Sequence, residues 1–263
     1  MVFATDLDRT MIYSRSFVTK DNMEYLAMFP DGQVSNFMTK KAYELLNELK
    51  KRMFVVPCTT RSLEQFTRLI QFRDCEYAIC DNGATILHNG KVNKQWELVV
   101  NKNMEFCTRD LLELQDKIKE QSFVGNNIKF VDNYFLFFKT NMVLECRDWL
   151  EENIDKNKFY YSISGKKCYV FPKFMTKDNA LRYLLDTLNE TDLIASGDSQ
   201  LDFGMLNMVT KGAFLPLNDY HDFDFNFNLA ENVTILNNMG VNGGEYILCQ
   251  VKNILEKGSE TND

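Results

Sequence analysis

Four short apolar runs, each ending abruptly in polar side chains, constrain this chain more than any other feature. Residues 2–4 (VFA) lead into Thr5-Asp6, residues 53–57 (MFVVP) into Cys58-Thr59-Thr60-Arg61, and residues 193–196 (LIAS) into Gly197-Asp198. Residues 77–80 (YAIC) end at Asp81-Asn82-Gly83. Helical patterns lie between them. Residues 39–51 place Ala42, Leu45, Leu46 and Leu49 on one face, residues 62–71 start at a capping Ser62, and another helix spans 177–189. Strands alternating with helices predict an α/β fold, a doubly wound parallel sheet covered on both faces. In such a sheet the carboxyl ends of the strands open onto the ligand crevice, where these polar residues fall.

The middle third reads differently. Residues 84–87 and 96–100 read as strands and 103–121 as one long amphipathic helix. Strands at 128–131 and 134–139 follow across Asp132-Asn133, then a helix at 142–153 and strands at 159–164 and 167–171 turned at Gly165. This order predicts an α+β module on an antiparallel sheet. The expected organisation is a core formed by residues 1–82 and 173–263, with residues 83–172 inserted as a cap. After residue 176 the first rhythm resumes, with a helix at 202–209, strands at 213–217 and 233–236, and a helix at 244–256.

With a net charge of −7, the chain lacks the clustered Lys and Arg that nucleic acid or an anionic membrane would require. Its seven cysteines are scattered without a CxxC, and it has two histidines, His88 and His221, so zinc has little support. No signal peptide or membrane-length apolar run is read, and a soluble cytoplasmic protein with reduced thiols is expected.

The chemistry concentrates at the strand ends. Alternation puts Asp6 and Asp8 on one side of an extended chain, where two carboxylates repel unless a hard divalent cation sits between them. Read alone, this motif serves equally as a solvated loop. Asp198 and Asp202 repeat the arrangement after a glycine, although Asp and Ser also begin capped helices. Thr59 and Thr60 suit a phosphate at a strand end, or equally a helix N-terminus. Lys177 starts the helix before the second acidic pair; most lysines are solvated, but one here would brace a phosphate and offset charge.

Taken together, DxDxT, Thr, Lys and GDxxxD in this order resemble the four motifs of the haloacid dehalogenase (HAD) superfamily. The inserted module and Asn82-Gly83-Ala84 at its entrance are similar to the Cof-like branch with a type C2 cap. That branch also holds sucrose-phosphate and mannosyl-phosphoglycerate phosphatases and phosphomannomutase. The resemblance implies a magnesium-dependent phosphatase acting on a small phosphorylated metabolite, such as a sugar phosphate, through an aspartyl-phosphate. By the same resemblance Asp6 is the nucleophile and Asp8 the general acid and base. Thr59, with Thr60 able to exchange roles, and Lys177 bind the phosphoryl group. Asp6, Asp198, Asp202 and the backbone carbonyl of Asp8 hold Mg²⁺. Three positions depart from the branch: Arg9 and Thr60 stand where glycine is usual, and Leu201 replaces an asparagine. Residues 18–38 form a longer segment than usual after the first motif. The same motifs also serve a phosphomutase, or a non-catalytic module binding a phospho-ligand or metal. The cap is expected to choose the leaving group, with Lys129, Lys139, Lys166 and Lys167 as candidates; the oligomeric state is left open.

Overall fold

The computed structural model describes residues 1–32, 34–125, 127–217 and 229–260. The chain opens with β1 (Val2–Thr5), the hairpin strands β2 (Leu26–Pro30) and β3 (Ser35–Thr39), helix α1 (Lys40–Leu49), β4 (Phe54–Pro57) and the short α2 (Leu63–Thr67). Three antiparallel strands follow, β5 (Tyr77–Cys80), β6 (Thr85–His88) and β7 (Lys91–Val92). Next come α3 (Lys94–Met104), α4 (Thr108–Lys119), β8 (Lys129–Val131), β9 (Phe135–Lys139), α5 (Val143–Asn153), β10 (Phe159–Ser164) and β11 (Lys167–Pro172). The chain ends with α6 (Lys177–Leu188), β12 (Leu193–Ser196), α7 (Phe203–Leu206), β13 (Gly212–Leu217), β14 (Val233–Asn237) and α8 (Gly243–Glu260).

Two compact units result: Met1–Val92 with Lys177–Asp263, and Asn93–Thr176. The division falls ten residues after the expected first boundary because β5 pairs with β6, and β6 with β7, so residues 84–92 stay with the first unit.

The first unit is built on a parallel five-stranded sheet in the order β14-β13-β12-β1-β4. Thr5 pairs with Ser196 on one side and Pro57 on the other, so three strands end level with one another. Whatever follows them emerges along one edge. Beneath that edge the sheet is apolar: Phe3, Val55, Ile194 and Phe214 are buried with Leu46 and Leu49 of α1 and Leu248 and Val251 of α8. At ~25 cal/mol per Å², burying such side chains is the main force that holds these layers together.

The second unit carries an antiparallel sheet in the order β10-β11-β9-β8. Leu136, Phe138, Cys168 and Val170 are fully buried on one face, with α4 and α5 contacting β9 and β10. On the other face the rings of Phe137 and Tyr169 lie 5.0 Å apart, and Lys139 sits opposite Lys167.

Three expectations are corrected here. Residues 96–100 form part of helix α3, not a strand. Trp96, Val100 and Met104 are buried at four-residue spacing, and Asn93 caps the helix by accepting from the N–H groups of Gln95 and Trp96. The long helix at 103–121 is two helices, broken between Met104 and Thr108. The helix at 202–209 opens as a 3-10 turn over Gln200–Asp202 and continues only as α7. Within residues 18–38 the chain forms most of the β2–β3 hairpin, a structure the sequence reading left unassigned. Among the described residues, no helix is long and apolar enough to cross a membrane.

Thr39 joins three elements. Its hydroxyl accepts from the N–H of Ala42 at 3.0 Å, capping α1, and donates to Glu245 of α8 at 2.7 Å. Thr39→Ala is predicted to lower stability by ~1–2 kcal/mol, at the upper end for a lost N-cap. Thr39→Ser should retain most of it, as read by urea unfolding.

Candidate active site

Asp6 is the first residue beyond β1, and its N–H donates to the carbonyl of Ser196 at 2.8 Å. The hydroxyls of Thr5 and Ser196 lie 2.8 Å apart just below it. Both oxygens of the Asp6 carboxylate are engaged: Oδ1 accepts from Lys177 Nζ at 2.5 Å and Oδ2 from the Thr10 hydroxyl at 3.2 Å. Lys177 opens α6 and is only 1% exposed. The same ammonium donates to Asp202 Oδ1 at 2.6 Å. Asp202 Oδ2 accepts from both the N–H and the hydroxyl of Ser199, at 2.9 and 2.8 Å, which orients it within its turn.

Asp6, Asp198 and Asp202 are all buried, and each places a carboxylate oxygen within 4.8 Å of the others. Burial pushes the Asp6 carboxyl well above the ordinary carboxylate range. Lys177 pulls it down, and Asp202 and Asp198 push it further up. Burial also works against charge on Lys177, but Asp202 and Asp6 outweigh it and hold the ammonium above the usual lysine range. Three carboxylates around one ammonium leave two negative charges to be balanced. A hard divalent cation fits this donor set, which is all oxygen. No cysteine or histidine joins the cluster among the described residues, and His221 lies outside them.

The backbone is fitted to this crowding. A Cβ on Gly197 would stand 2.3 Å from the Cβ of Asp202, so only glycine lets the turn carrying Asp202 fold back against the strand end. Arg9 adopts φ +67°, the left-handed region that glycine enters freely, which is why the glycine usual in the resembled branch would be at ease here.

The sequence candidates do not all converge. Asp8 lies two residues beyond Asp6, but its half-exposed carboxylate is taken by Arg61, whose Nε and NH2 donate to it at 2.7 and 2.8 Å. Its side chain is not part of the carboxylate cluster. Thr59 is buried, its hydroxyl accepting from the Arg61 N–H at 3.1 Å, whereas Thr60 is half-buried. The Thr59–Arg61 loop is fixed from below, because the N–H groups of Asp81 and Asn82 donate to the carbonyls of Arg61 and Thr59. Both Asp81 and Asn82 take left-handed backbone, at φ +52° and +53°. Two neighbours were invisible in the sequence. Tyr13, buried, donates to the Thr10 carbonyl at 3.0 Å and accepts from Gly244 of α8 at 3.1 Å. Asp31 of the β2–β3 turn faces Arg61 at 3.5 Å. Neither stands in a motif; both are found only through their partners.

A family model described as haloacid dehalogenase-like hydrolase matches residues 102–215, which include Lys177, Asp198 and Asp202. No curated protein matches. Several solved structures share the fold. Sucrose-phosphatase from Synechocystis, solved with sucrose and phosphate, superposes with a TM-score of 0.66 at 15% identity, covering 97% of each chain. A HAD/Cof-like hydrolase from Plasmodium vivax gives 0.62 at 15% identity over 96% of this chain and 95% of that one. A trehalose-6-phosphate phosphatase related protein gives 0.55 at 16% identity over 99% of this chain and 100% of that one. Residues 102–215 thus match the haloacid dehalogenase-like hydrolase model, and the chain as a whole shares the fold of these solved structures.

Gly197→Ala should force Asp202 or the strand end to move. A stability loss of ~1–3 kcal/mol, as for overpacking a filled interior, is predicted in chemical denaturation.

Proposed function

We propose that this protein is a magnesium-dependent phosphatase that hydrolyses a small phosphorylated metabolite through an aspartyl-phosphate on Asp6. The observation that carries the reading is the Asp6 carboxylate, buried at a strand end and held on both oxygens by Lys177 and Thr10. A nucleophile fixed in this way needs no reorientation before it attacks.

In the first step an Asp6 oxygen attacks phosphorus and the bond from phosphorus to the leaving oxygen breaks. Asp8, carrying a proton at the outset and so releasing one of its two bonds to Arg61, gives that proton to the leaving oxygen, and the alcohol departs. In the second step Asp8 takes a proton from water as its oxygen attacks phosphorus. The bond to Asp6 breaks and inorganic phosphate is released. The Thr59 hydroxyl, with Thr60 beside it, and the Lys177 ammonium hold the charge spread over the phosphoryl oxygens. Asp6, Asp198 and Asp202, with the carbonyl of Asp8, would hold Mg²⁺, which when bound shields the anionic phosphate from the anionic nucleophile.

Choice among esters is assigned to the second unit in this proposal, on the character of its own antiparallel sheet. The exposed Lys139 and Lys167, directly opposite each other across two strands, repel, and an anionic or hydroxylated ligand would relieve that repulsion. Phe137 and Tyr169 offer ring faces on the same side of the sheet. All seven cysteines are free, which suits a cytoplasmic setting.

A panel of phosphorylated metabolites, assayed for phosphate release with magnesium, tests the reading. Asp6→Asn should abolish turnover while the protein remains folded. Asp8→Asn should lose about 10²–10⁴-fold, the usual general acid–base contribution. Transfer of the phosphoryl group back to a sugar without phosphate release would instead identify a mutase. Magnesium at 100 times its dissociation constant should raise folding stability by ~2.7 kcal/mol. A melting temperature indifferent to both EDTA and magnesium would remove the metal from this account.

A further inference from the structure

Arg61 is anchored at one end and shared at the other. Its N–H donates to the Thr59 hydroxyl at 3.1 Å and its carbonyl accepts from Asp81 at 2.9 Å, so its backbone is fixed. One edge of its guanidinium, Nε and NH2, grips both oxygens of Asp8. The remaining nitrogen, NH1, lies 3.5 Å from Asp31 Oδ2. Asp31 is itself held rigidly at the tip of the β2–β3 hairpin. Its Oδ1 accepts from the Val34 N–H at 2.8 Å and its own N–H donates to the Val34 carbonyl at 2.9 Å. One carboxylate oxygen thus closes the hairpin turn while the other faces Arg61.

The two contacts hold opposite sides of the guanidinium in different surroundings. The Asp8 side chain is 53% exposed, so its hold on Arg61 rests on the two-pronged geometry rather than on burial. Asp31 is 12% exposed and Arg61 19%, so their contact is the drier one. Burial disfavours the charge on Arg61, but its bonds to Asp8 and the pull of Asp31 offset this and keep it cationic. A planar guanidinium held at one edge presents its other edge as a fixed two-pronged fork, which sets the plane of the carboxylate it grips.

We infer that Asp31 is a positioning residue for the reaction, orienting the Asp8 carboxylate toward the leaving oxygen through Arg61. The inference rests on the assignment of Asp8 as proton donor to the leaving group. It also gives the long segment at residues 18–38 a role: the hairpin delivers one carboxylate to the outer side of Arg61.

Dependence on the leaving group separates positioning from a merely structural effect. An alkoxide needs a proton to depart, whereas an acidic phenol such as p-nitrophenol does not. The parent, Asp31→Ala, Asp31→Asn, Arg61→Ala, Arg61→Lys and the double variant Asp31→Ala/Arg61→Ala would be compared on an alkyl phosphate and on p-nitrophenyl phosphate, with magnesium. Both Asp31 variants should lose about 10-fold or more in kcat on the alkyl ester, part of the ~10²–10⁴-fold acid–base contribution, with KM little changed. Their loss on the aryl ester should be far smaller. The double variant should be no slower than Arg61→Ala, because Asp31 acts only through Arg61. Arg61→Lys should not restore the alkyl activity, since lysine offers no fork.

Equal losses on both esters, additive losses in the double variant, or Asp31 variants matching the parent would overturn the inference while leaving the phosphatase reading intact. A parent that releases phosphate from no ester would overturn that reading and this inference with it. Independently of activity, a crystal structure of Asp31→Asn should show Arg61 and Asp8 displaced. Unchanged positions of both would overturn the proposal.

Discussion

The buried ammonium of Lys177, shared between Asp6 and Asp202, is the contact on which the rest of the site depends. It ties the end of β1 to the turn after β12 through the first residue of α6, so three elements meet at one charge. Two carboxylates with so little access to water would otherwise repel at close range, and removing one partner of such a buried set typically costs ~3–5 kcal/mol. Lysine suits the position because its charge is compact and its donors can diverge to two acceptors, whereas a guanidinium favours a flat, two-pronged partner. The same molecule shows the contrast: Arg61 takes the bidentate role against Asp8.

That junction imposes conditions on the chain around it. Gly197 has to lack a side chain because Asp202 occupies the space where a Cβ would be. Gly244 is confined similarly, since its Cβ would meet the Thr10 carbonyl at 3.0 Å. Tyr13 then bridges the two, donating to Thr10 and accepting from Gly244, so the first motif is braced against α8 as well as against the sheet. Strain gathers nearby. Arg9, Asp81 and Asn82 all hold left-handed backbone, at ~1–3 kcal/mol each for such residues. The two at 81 and 82 present the N–H groups that fix the Thr59–Arg61 loop.

What was legible in the sequence followed from local physics. The strand at 193–196 is read with its observed bounds because a run of apolar residues ends at a glycine and an acid. The cap at Ser62 is read because serine before a helix has one strong use, although α2 stops at Thr67, well short of the expected end. The error at 96–100 came from hydrophobic density. Leu98 and Val99 look like strand residues but are 70% and 43% exposed, while the buried positions keep a helical spacing. The carboxylate cluster was foreseeable from motif order, since Asp6, Asp198 and Asp202 all follow strands that end level with one another. The engagement of Asp8 by Arg61 was not, because it depends on where a loop 53 residues away comes to rest. Asp31 was further out of reach: it lies in a segment with no assigned motif, and one of its oxygens closes a turn while the other faces Arg61.

The charges around Asp6 bear on how an acidic protein would accommodate the phosphate of the proposed reaction. Net charge acts weakly at a distance, since screening at physiological salt is nearly complete beyond ~8 Å. The local count is what matters. Asp6 and Asp202 hold Lys177 with Asp198 beside them, and Asp8 and Asp31 flank Arg61, so five carboxyl groups stand with two cations. With Asp8 protonated for its proposed role, a phosphate ester entering this set would still meet two uncompensated negative charges. Its binding is therefore coupled to the arrival of positive charge at the inner cluster, whether a proton on Asp6, whose burial already favours one, or a divalent cation. In the proposed reaction a proton there would silence Asp6, because a carboxylic acid is a poor attacker at phosphorus. A divalent cation balances the same charge and leaves the carboxylate ionised. The arrangement thus favours a cation over a proton as the counter-charge under which Asp6 can react.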